Sequence, residues 1–264
     1  MSIKIQNIEN CKGCGLCTKA CIQKVLQIEN GKVTINPERE SFCMKCGQCQ
    51  SICPSQVLTL FNNSPGKLPT TITTINDAMI TRRSMRYFKG PIPKEELIDL
   101  LQMMKYCPSS CNYRPIKFMV INRPKLTEII TTLCDMFMKS GIENPMLKNM
   151  CEMQKNSDVI GRDCYHMIIA YCDKKWGTYA EVDASIMLAQ MELLAVERGY
   201  GTFWCGLLRR LLTTDEALNL IGLNDQFVCM CMGLGIPDMK YHNIIDREPI
   251  QLVKGCYLNF PELI

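Results

Sequence analysis

Eight of the chain's eighteen cysteines fall within residues 11–53, and their spacing is the feature of this sequence best suited to chemistry. Cys11, Cys14, Cys17 and Cys21 are separated by two, two and three residues, and Cys43, Cys46, Cys49 and Cys53 repeat that spacing, so the segment is internally duplicated. Thiolate sulfur is a soft ligand that stabilises iron in a sulfide-bridged core. Cysteines this close let one short loop wrap three corners of a cube. The fourth corner must come from elsewhere. A pair of zinc sites or a disulfide staple is the alternative, although zinc proteins rarely carry two such runs of four.

Residues 1–62 resemble a bacterial two-cluster ferredoxin, in which the fourth cysteine of each run serves the other cluster. The resemblance implies one [4Fe–4S] cluster on Cys11, Cys14, Cys17 and Cys53 and a second on Cys43, Cys46, Cys49 and Cys21. Pro54 follows Cys53 as in that pattern, whereas Ile22 follows Cys21, a departure that leaves ligation intact. The implied fold is a pair of short hairpins and helices around the clusters, with metal supplying the stability that a 60-residue core lacks. This head carries seven Lys and Arg against four Glu, which suits delivery of electrons to a tethered domain and equally suits an ordinary solvated surface.

A second group of chemistry-bearing residues is Thr81-Arg82-Arg83-Ser84-Met85-Arg86. Arg is suited to bidentate phosphate contacts, and Ser adds a hydrogen bond, although an Arg-rich helix end is often only a solvated surface. About twenty-five residues on comes Pro108-Ser109-Ser110-Cys111-Asn112-Tyr113-Arg114-Pro115, then Gly199-Tyr200-Gly201-Thr202-Phe203-Trp204-Cys205-Gly206-Leu207, and finally Met232-Gly233-Leu234-Gly235-Ile236-Pro237 followed by Arg247-Glu248-Pro249. In this order, across residues 76–264, the motifs resemble the nitroreductase family.

That resemblance implies an FMN site. Arg82, Arg83, Ser84 and Arg86 would bind its phosphate and ribityl groups. Pro108, Ser109, Ser110 and Asn112 would contact the flavin from a partner subunit, and the backbone at Gly206 and Leu207, with Cys205 nearby, would meet the ring's N5 and O4 edge. Arg247 would be a second phosphate ligand, while Asn243 stands where the family has an earlier Arg. Arg114 occupies a position commonly held by Gln, and a cation near the pyrimidine edge of the flavin would raise its potential. No dedicated acid or base residue is implied.

These residues need a scaffold, and the rest of the sequence supplies one. The stretch 63–75, rich in Asn, Pro, Gly and Thr, reads as a linker, giving domains at 1–62 and 76–264. Helices are expected over 93–106, 125–139, 180–198 and 214–220, and strands over 117–122, 167–172 and 227–233. The 180–198 helix is apolar around most of its circumference and should be buried in a domain or subunit core. The fold class is α+β: a small two-cluster ferredoxin-like domain followed by a nitroreductase-like α+β sandwich, expected as a homodimer with FMN in the subunit interface.

Composition narrows the function further. The 264 residues are 47% hydrophobic, and 30 basic against 26 acidic residues are scattered without a like-charged run, so neither nucleic acid nor membrane lipid is expected as a partner. No apolar stretch approaches a membrane span and no leader is evident, so the expected address is cytoplasmic. The methionines read as core filler, Cys107 and Cys111 as buried thiols, and two His residues are too few for a His-based metal site. The expected activity is reduction of a small-molecule electron acceptor, such as a nitro compound, quinone or flavin, with NAD(P)H or a low-potential protein as donor. Rival classes are an enoate or dehalogenating reductase on the same scaffold, and a non-enzymatic carrier or redox sensor.

Overall fold

The computed structural model describes residues 3–60, 66–69 and 71–245, and these form parts of two compact units. The first comprises residues 1–68 and 241–264, the second residues 69–240. Of the chain's last part, the described residues 241–245 group with the first unit.

The first unit repeats one device. A 3-10 turn, Ile8–Asn10 or Glu40–Phe42, leads into each cysteine run, and a left-handed Gly15 or Gly47 opens a five-residue helix, α1 (Leu16–Ala20) or α2 (Gln48–Ile52). Each helix stops at an extended cysteine, Cys21 or Cys53. Strand β1 (Lys4–Ile5) pairs antiparallel with β4 (Leu58–Thr59). Strands β2 (Leu26–Glu29) and β3 (Lys32–Ile35) form a hairpin whose Asn30-Gly31 turn has φ of 47° and 73°, the backbone that suits a tight hairpin. A short β5 (Gly66–Lys67) pairs with β11 (Asn243–Ile244) from the far end of the chain. The apolar core is small, built on Ile3, Val25, Leu26, Val33, Ile52, Val57 and Leu58.

The second unit opens with α3 (Ile75–Thr81), started by a capping box in which Thr74 and Asp77 satisfy each other's backbone N–H groups. There follow β6 (Phe88–Gly90), α4 (Lys94–Met103), β7 (Lys117–Asn122), α5 (Arg123–Lys139), α6 (Pro145–Gln154), β8 (His166–Asp173), α7 (Gly177–Glu197), β9 (Gly201–Trp204), α8 (Gly206–Leu211), α9 (Asp215–Leu220) and β10 (Gln226–Pro237). The sheet is antiparallel, in the order β6-β10-β8-β7, with β9 also paired to β10.

Alternate residues of β8 point to opposite faces. Ile168, Ala170 and Cys172 join α4 and α7 in one core, while Met167 and Ile169 are also fully buried and α5 packs against β7 and β8. The sheet is thus covered on both sides. Helix α7 buries a stripe through Ala180, Ala184, Leu188, Met191 and Ala195, but Tyr179 and Val182 are exposed, so within one chain it is less enclosed than its apolar sequence suggests. His166 is structural: its Nε2 accepts from Ile92 N–H at 3.0 Å, its Nδ1 faces Asn122 Oδ1 at 3.2 Å, and burial pushes its pKa down, keeping the ring neutral. Among the described residues no helix is long and apolar enough to cross a membrane.

Close packing also fixes a glycine. A Cβ on Gly233 would lie 2.1 Å from the Phe203 ring on the neighbouring strand. Gly233→Ala should therefore lower the stability of this unit by about 1–3 kcal/mol through overpacking, readable in a urea titration; unchanged stability would mean that Phe203 can swing aside.

Candidate functional site

Chemistry-bearing residues collect separately in the two units. In the first, Cys11, Cys14, Cys17 and Cys53 line one cavity, walled by Gly15, Leu16, Ile28, Val33, Pro54 and Val57. Burial, and next the neighbouring Cys53, push the Cys17 thiol up to about 11. Cys49 is raised by burial, then by Cys46 and Cys21. Cys53 of the second run thus stands with Cys11, Cys14 and Cys17 of the first, and Cys21 of the first run lies near Cys49 of the second. Every cysteine among the described residues is a free thiol. Thiols that resist ionisation must lose protons to a metal, so any metal they bind has to supply that free energy.

The loops are tightly determined. Gly13, between Cys11 and Cys14, has φ of 63°, and a Cβ there would lie 2.3 Å from the Gly31 carbonyl oxygen. Lys32 Nζ donates to the carbonyls of Cys11 at 2.7 Å and Glu9 at 3.0 Å, and Val25 N–H donates to Cys21 Sγ at 3.3 Å. Among the described residues no group of three or more His, Cys, Asp and Glu forms a site for a single metal ion.

In the second unit, Arg82 caps the end of α3 and turns the chain into an extended path. Ser84 bridges Thr202, and Met85 N–H donates to the Thr202 carbonyl at 2.7 Å, so the Arg82–Arg86 segment runs beside β9. Strand β9 then delivers the chain to Cys205, Gly206 and Leu207. Gly206 is exposed, and a Cβ on it would meet nothing within 4 Å. Cys205 points inward: its thiol donates to the Ile160 carbonyl at 3.3 Å, and burial pushes it up to about 12. Its side chain is therefore no contact for a ligand above Gly206, which leaves its backbone. Both Arg86 and Arg162 act electrostatically on that sulfur, so these two cations share the corner at the end of β9.

Residues 108–114 are held elsewhere. Ser110 N–H donates to both carboxylate oxygens of the buried Asp183, at 3.0 and 3.2 Å. Arg114 donates from its backbone N–H to Ser109 Oγ and from Nε to Asn112 Oδ1, each at 3.0 Å. Pro108, Ser110, Asn112 and Arg114 are exposed. Arg82 contacts Glu192, at 3.4 Å, whereas the loop is anchored at Asp183. These two anchors are nine residues apart on α7, roughly 13 Å along its axis. One chain thus brings Arg82–Arg86 together with Cys205–Leu207, and holds the Pro108–Arg114 loop at a different level of α7. Arg247 lies outside the described residues.

Residues 10–58 match the family model described as 4Fe-4S dicluster domain, and residues 79–236 match that of the Nitroreductase family. The chain belongs to the nitroreductase family. The Bacillus subtilis (strain 168) protein YfhC, named as a candidate NAD(P)H nitroreductase, is 25% identical over 186 residues, spanning 68% of this chain and 92% of YfhC. A nitroreductase with bound FMN from Bacteroides fragilis NCTC 9343 is similar in fold, with a TM-score of 0.59 and 21% identity over 69% of this chain and 100% of that one. A second, from Desulfitobacterium hafniense DCB-2, also with bound FMN, gives 0.56 and 19% over 70% and 100%.

Three residues that organise this nitroreductase-family unit were not singled out from the sequence: Glu192, Asp183 and Arg162. The first two are carboxylates in the apolar α7, and that mismatch was the available signal. Glu192 is 5% exposed and accepts from Arg82 Nη1 at 3.4 Å, Thr202 Oγ1 at 3.2 Å and Trp204 Nε1 at 3.2 Å. Arg162 gave no local signal; it is a half-buried cation with φ of 55°, its pKa lowered by burial. Replacing Glu192 by Ala strands three donors at once, so Glu192→Ala should cost about 1–3 kcal/mol and shift the Trp204 emission. Chemical denaturation with fluorescence checks both; an unshifted spectrum would remove Glu192 from Trp204.

Proposed function

We propose that this chain is an FMN-dependent oxidoreductase that reduces nitro compounds, quinones or flavins with electrons passed through two [4Fe–4S] clusters held by its first unit. The observation that carries the flavin part is the backbone pairing of Ser84 and Met85 with Thr202, which lays an Arg-rich segment beside the strand that ends at an open glycine. The FMN bound in the Bacteroides fragilis and Desulfitobacterium hafniense relatives supports the same reading.

The residues fit the group. Guanidinium groups of Arg82, Arg83 and Arg86, with Ser84, suit a phosphate and its ribityl chain. The unfilled space at Gly206 suits a planar ring, and the backbone of Cys205, Gly206 and Leu207 would meet its edge. Arg162, beside the same sulfur as Arg86, adds a further cation to this corner. Bound FMN would supply electron transfer both singly and in pairs, which is the chemistry needed between one-electron clusters and a two-electron acceptor. The chain's part is to bind and orient it and to set its potential.

The Pro108–Arg114 loop would complete the site of a partner subunit, with Pro108, Ser109, Ser110 and Asn112 as its contacts. Exposed apolar residues on α3 (Ile75, Met79, Ile80) and α7 (Tyr179, Val182) support a homodimer. In the first unit, the cavity shared by Cys11, Cys14, Cys17 and Cys53 suits one cluster, and Cys21, Cys43, Cys46 and Cys49 would hold the other. NAD(P)H, suggested by the name of YfhC, or a low-potential protein would be the donor. Arg247 is retained as a phosphate ligand from the sequence resemblance, and the reducing cytoplasm, where thiolates persist, as the site of action.

An anaerobic absorption spectrum with iron, sulfide and flavin quantified tests the proposal, and about eight iron and one FMN per chain are expected. Zinc without sulfide would remove the electron path, and folded protein that binds no FMN would remove the flavin reading. Arg114→Gln should lower the flavin midpoint potential measured by spectroelectrochemistry, because it takes a cation away from the pyrimidine edge. An unchanged potential would exclude that role.

A further inference from the structure

The two halves of the duplicated first unit are not covered alike. In α1 Cys17 and Ala20 are the buried residues, whereas all five residues of α2 are buried, including the polar Gln48, Gln50 and Ser51. Buried polar groups on a short helix require partners; Gln50 Oε1 accepts from Leu60 N–H at 3.1 Å, and Ser51 is met by a segment about 190 residues away in sequence. His242 N–H donates to the Ser51 carbonyl at 2.8 Å, and Ser51 Oγ donates to the Asn243 carbonyl at 2.6 Å. Ile245 sits against the other end of the helix, where a Cβ on Gly47 would lie 2.9 Å from its Cγ2. Pairing of Asn243 with Lys67 and of Ile244 with Gly66 holds the segment in place.

Asn243 is the centre of this strap. It is 2% exposed, and its Nδ2 donates to the carbonyls of Cys53 at 2.8 Å and Gln50 at 3.0 Å, with Ser51 at 3.4 Å. Its Oδ1 accepts from Gln56 Nε2 at 2.8 Å, so both ends of the amide are satisfied. Helix ends leave carbonyls without intrahelical donors. In α1 the following Cys21 N–H returns to the Cys17 carbonyl at 3.2 Å. No such backbone bond closes α2 at Cys53, and the Asn243 amide supplies donors there instead.

We propose that Asn243 is a positioning residue for cluster ligation: it fixes the peptide of Cys53, and so the direction of the one ligand that the second cysteine run contributes to the cluster on Cys11, Cys14 and Cys17. The inference rests on the cluster reading above. It also reassigns Asn243, which the sequence resemblance put opposite a flavin phosphate, to the first unit. The residue was legible as a departure from the family pattern, but its role is set by contacts no local pattern carries.

The test uses the full-length chain, prepared anaerobically, with Asn243→Asp and Asn243→Ala. Aspartate keeps the shape but turns an acceptor toward three carbonyls; alanine removes that donor together with the acceptor that Gln56 uses. Iron and sulfide content, low-temperature electron paramagnetic resonance of the reduced protein and the midpoint potential of each cluster are the readouts, and retained FMN shows that the second unit is folded.

For Asn243→Asp, iron should fall from about eight toward about four per chain, with one resonance signal lost. Asn243→Ala should keep more iron but shift the potential and signal of that cluster alone. Full iron and sulfide in the unaltered chain establishes the cluster reading first, so variants with both signals and both potentials unchanged overturn the strap's role by itself. Equal loss of both clusters would overturn it as well, because it would mark a general loosening rather than an effect through Cys53.

Discussion

A carboxylate taken out of water into an apolar helix costs several kcal/mol unless it is fully matched, and Glu192 in α7 is the point on which the second unit's site depends. Its oxygens accept from Arg82, Thr202 and Trp204. One acid therefore ties together the start of the Arg-rich segment and the beginning and end of β9. The backbone bridge from Ser84 to Thr202 runs parallel to this side-chain network and reinforces it. Without the carboxylate, Arg82 would be a half-buried guanidinium on an extended stretch with little to hold its direction. With it, the start of the segment that carries Arg83 and Arg86 is held beside β9.

The same constraint governs the first unit with different atoms. Its apolar core is too small to fix eight sulfurs by packing alone, so the loops are fixed by backbone hydrogen bonds and by glycines at left-handed positions. Gly13 must lack a side chain because the Gly31 carbonyl occupies the space; the equivalent Lys45 adopts φ of 50° with its side chain free to leave. The duplication is therefore one of backbone path rather than of residue type, and the two copies diverge where their surroundings differ.

How much of this was legible follows the range of the forces involved. Strand β7 falls on residues 117–122 as periodicity predicts, and Thr214 caps α9 through Ala217 N–H, because strand alternation and capping are local. Helix α6 passed unnoticed although Asn144 and Pro145 mark its start, since its amphipathic stripe is short. Strand β6 is three residues long and owes its existence to the partner β10. The motif places Cys205 near the cofactor without orienting its side chain, which turns to Ile160, because a motif fixes the path of the backbone and not where each side chain finds room.

The Pro108–Arg114 loop shows why a single chain need not display a finished site. Cys111, Asn112 and Arg114 all sit at φ between 47° and 56°, a conformation costing non-glycine residues about 1–3 kcal/mol each. Such a conformation persists only where its surroundings over-determine it. Here Asp183 grips Ser110, Ser109 and Asn112 receive Arg114, and Tyr113 packs on Trp176 with ring centres 5.0 Å apart. None of these contacts uses the side chains of Pro108 or Ser110. The loop is thus held in a strained backbone by contacts on its inner side, while Pro108 and Ser110 keep exposed faces, an arrangement that fits the proposed completion of the site by a second copy.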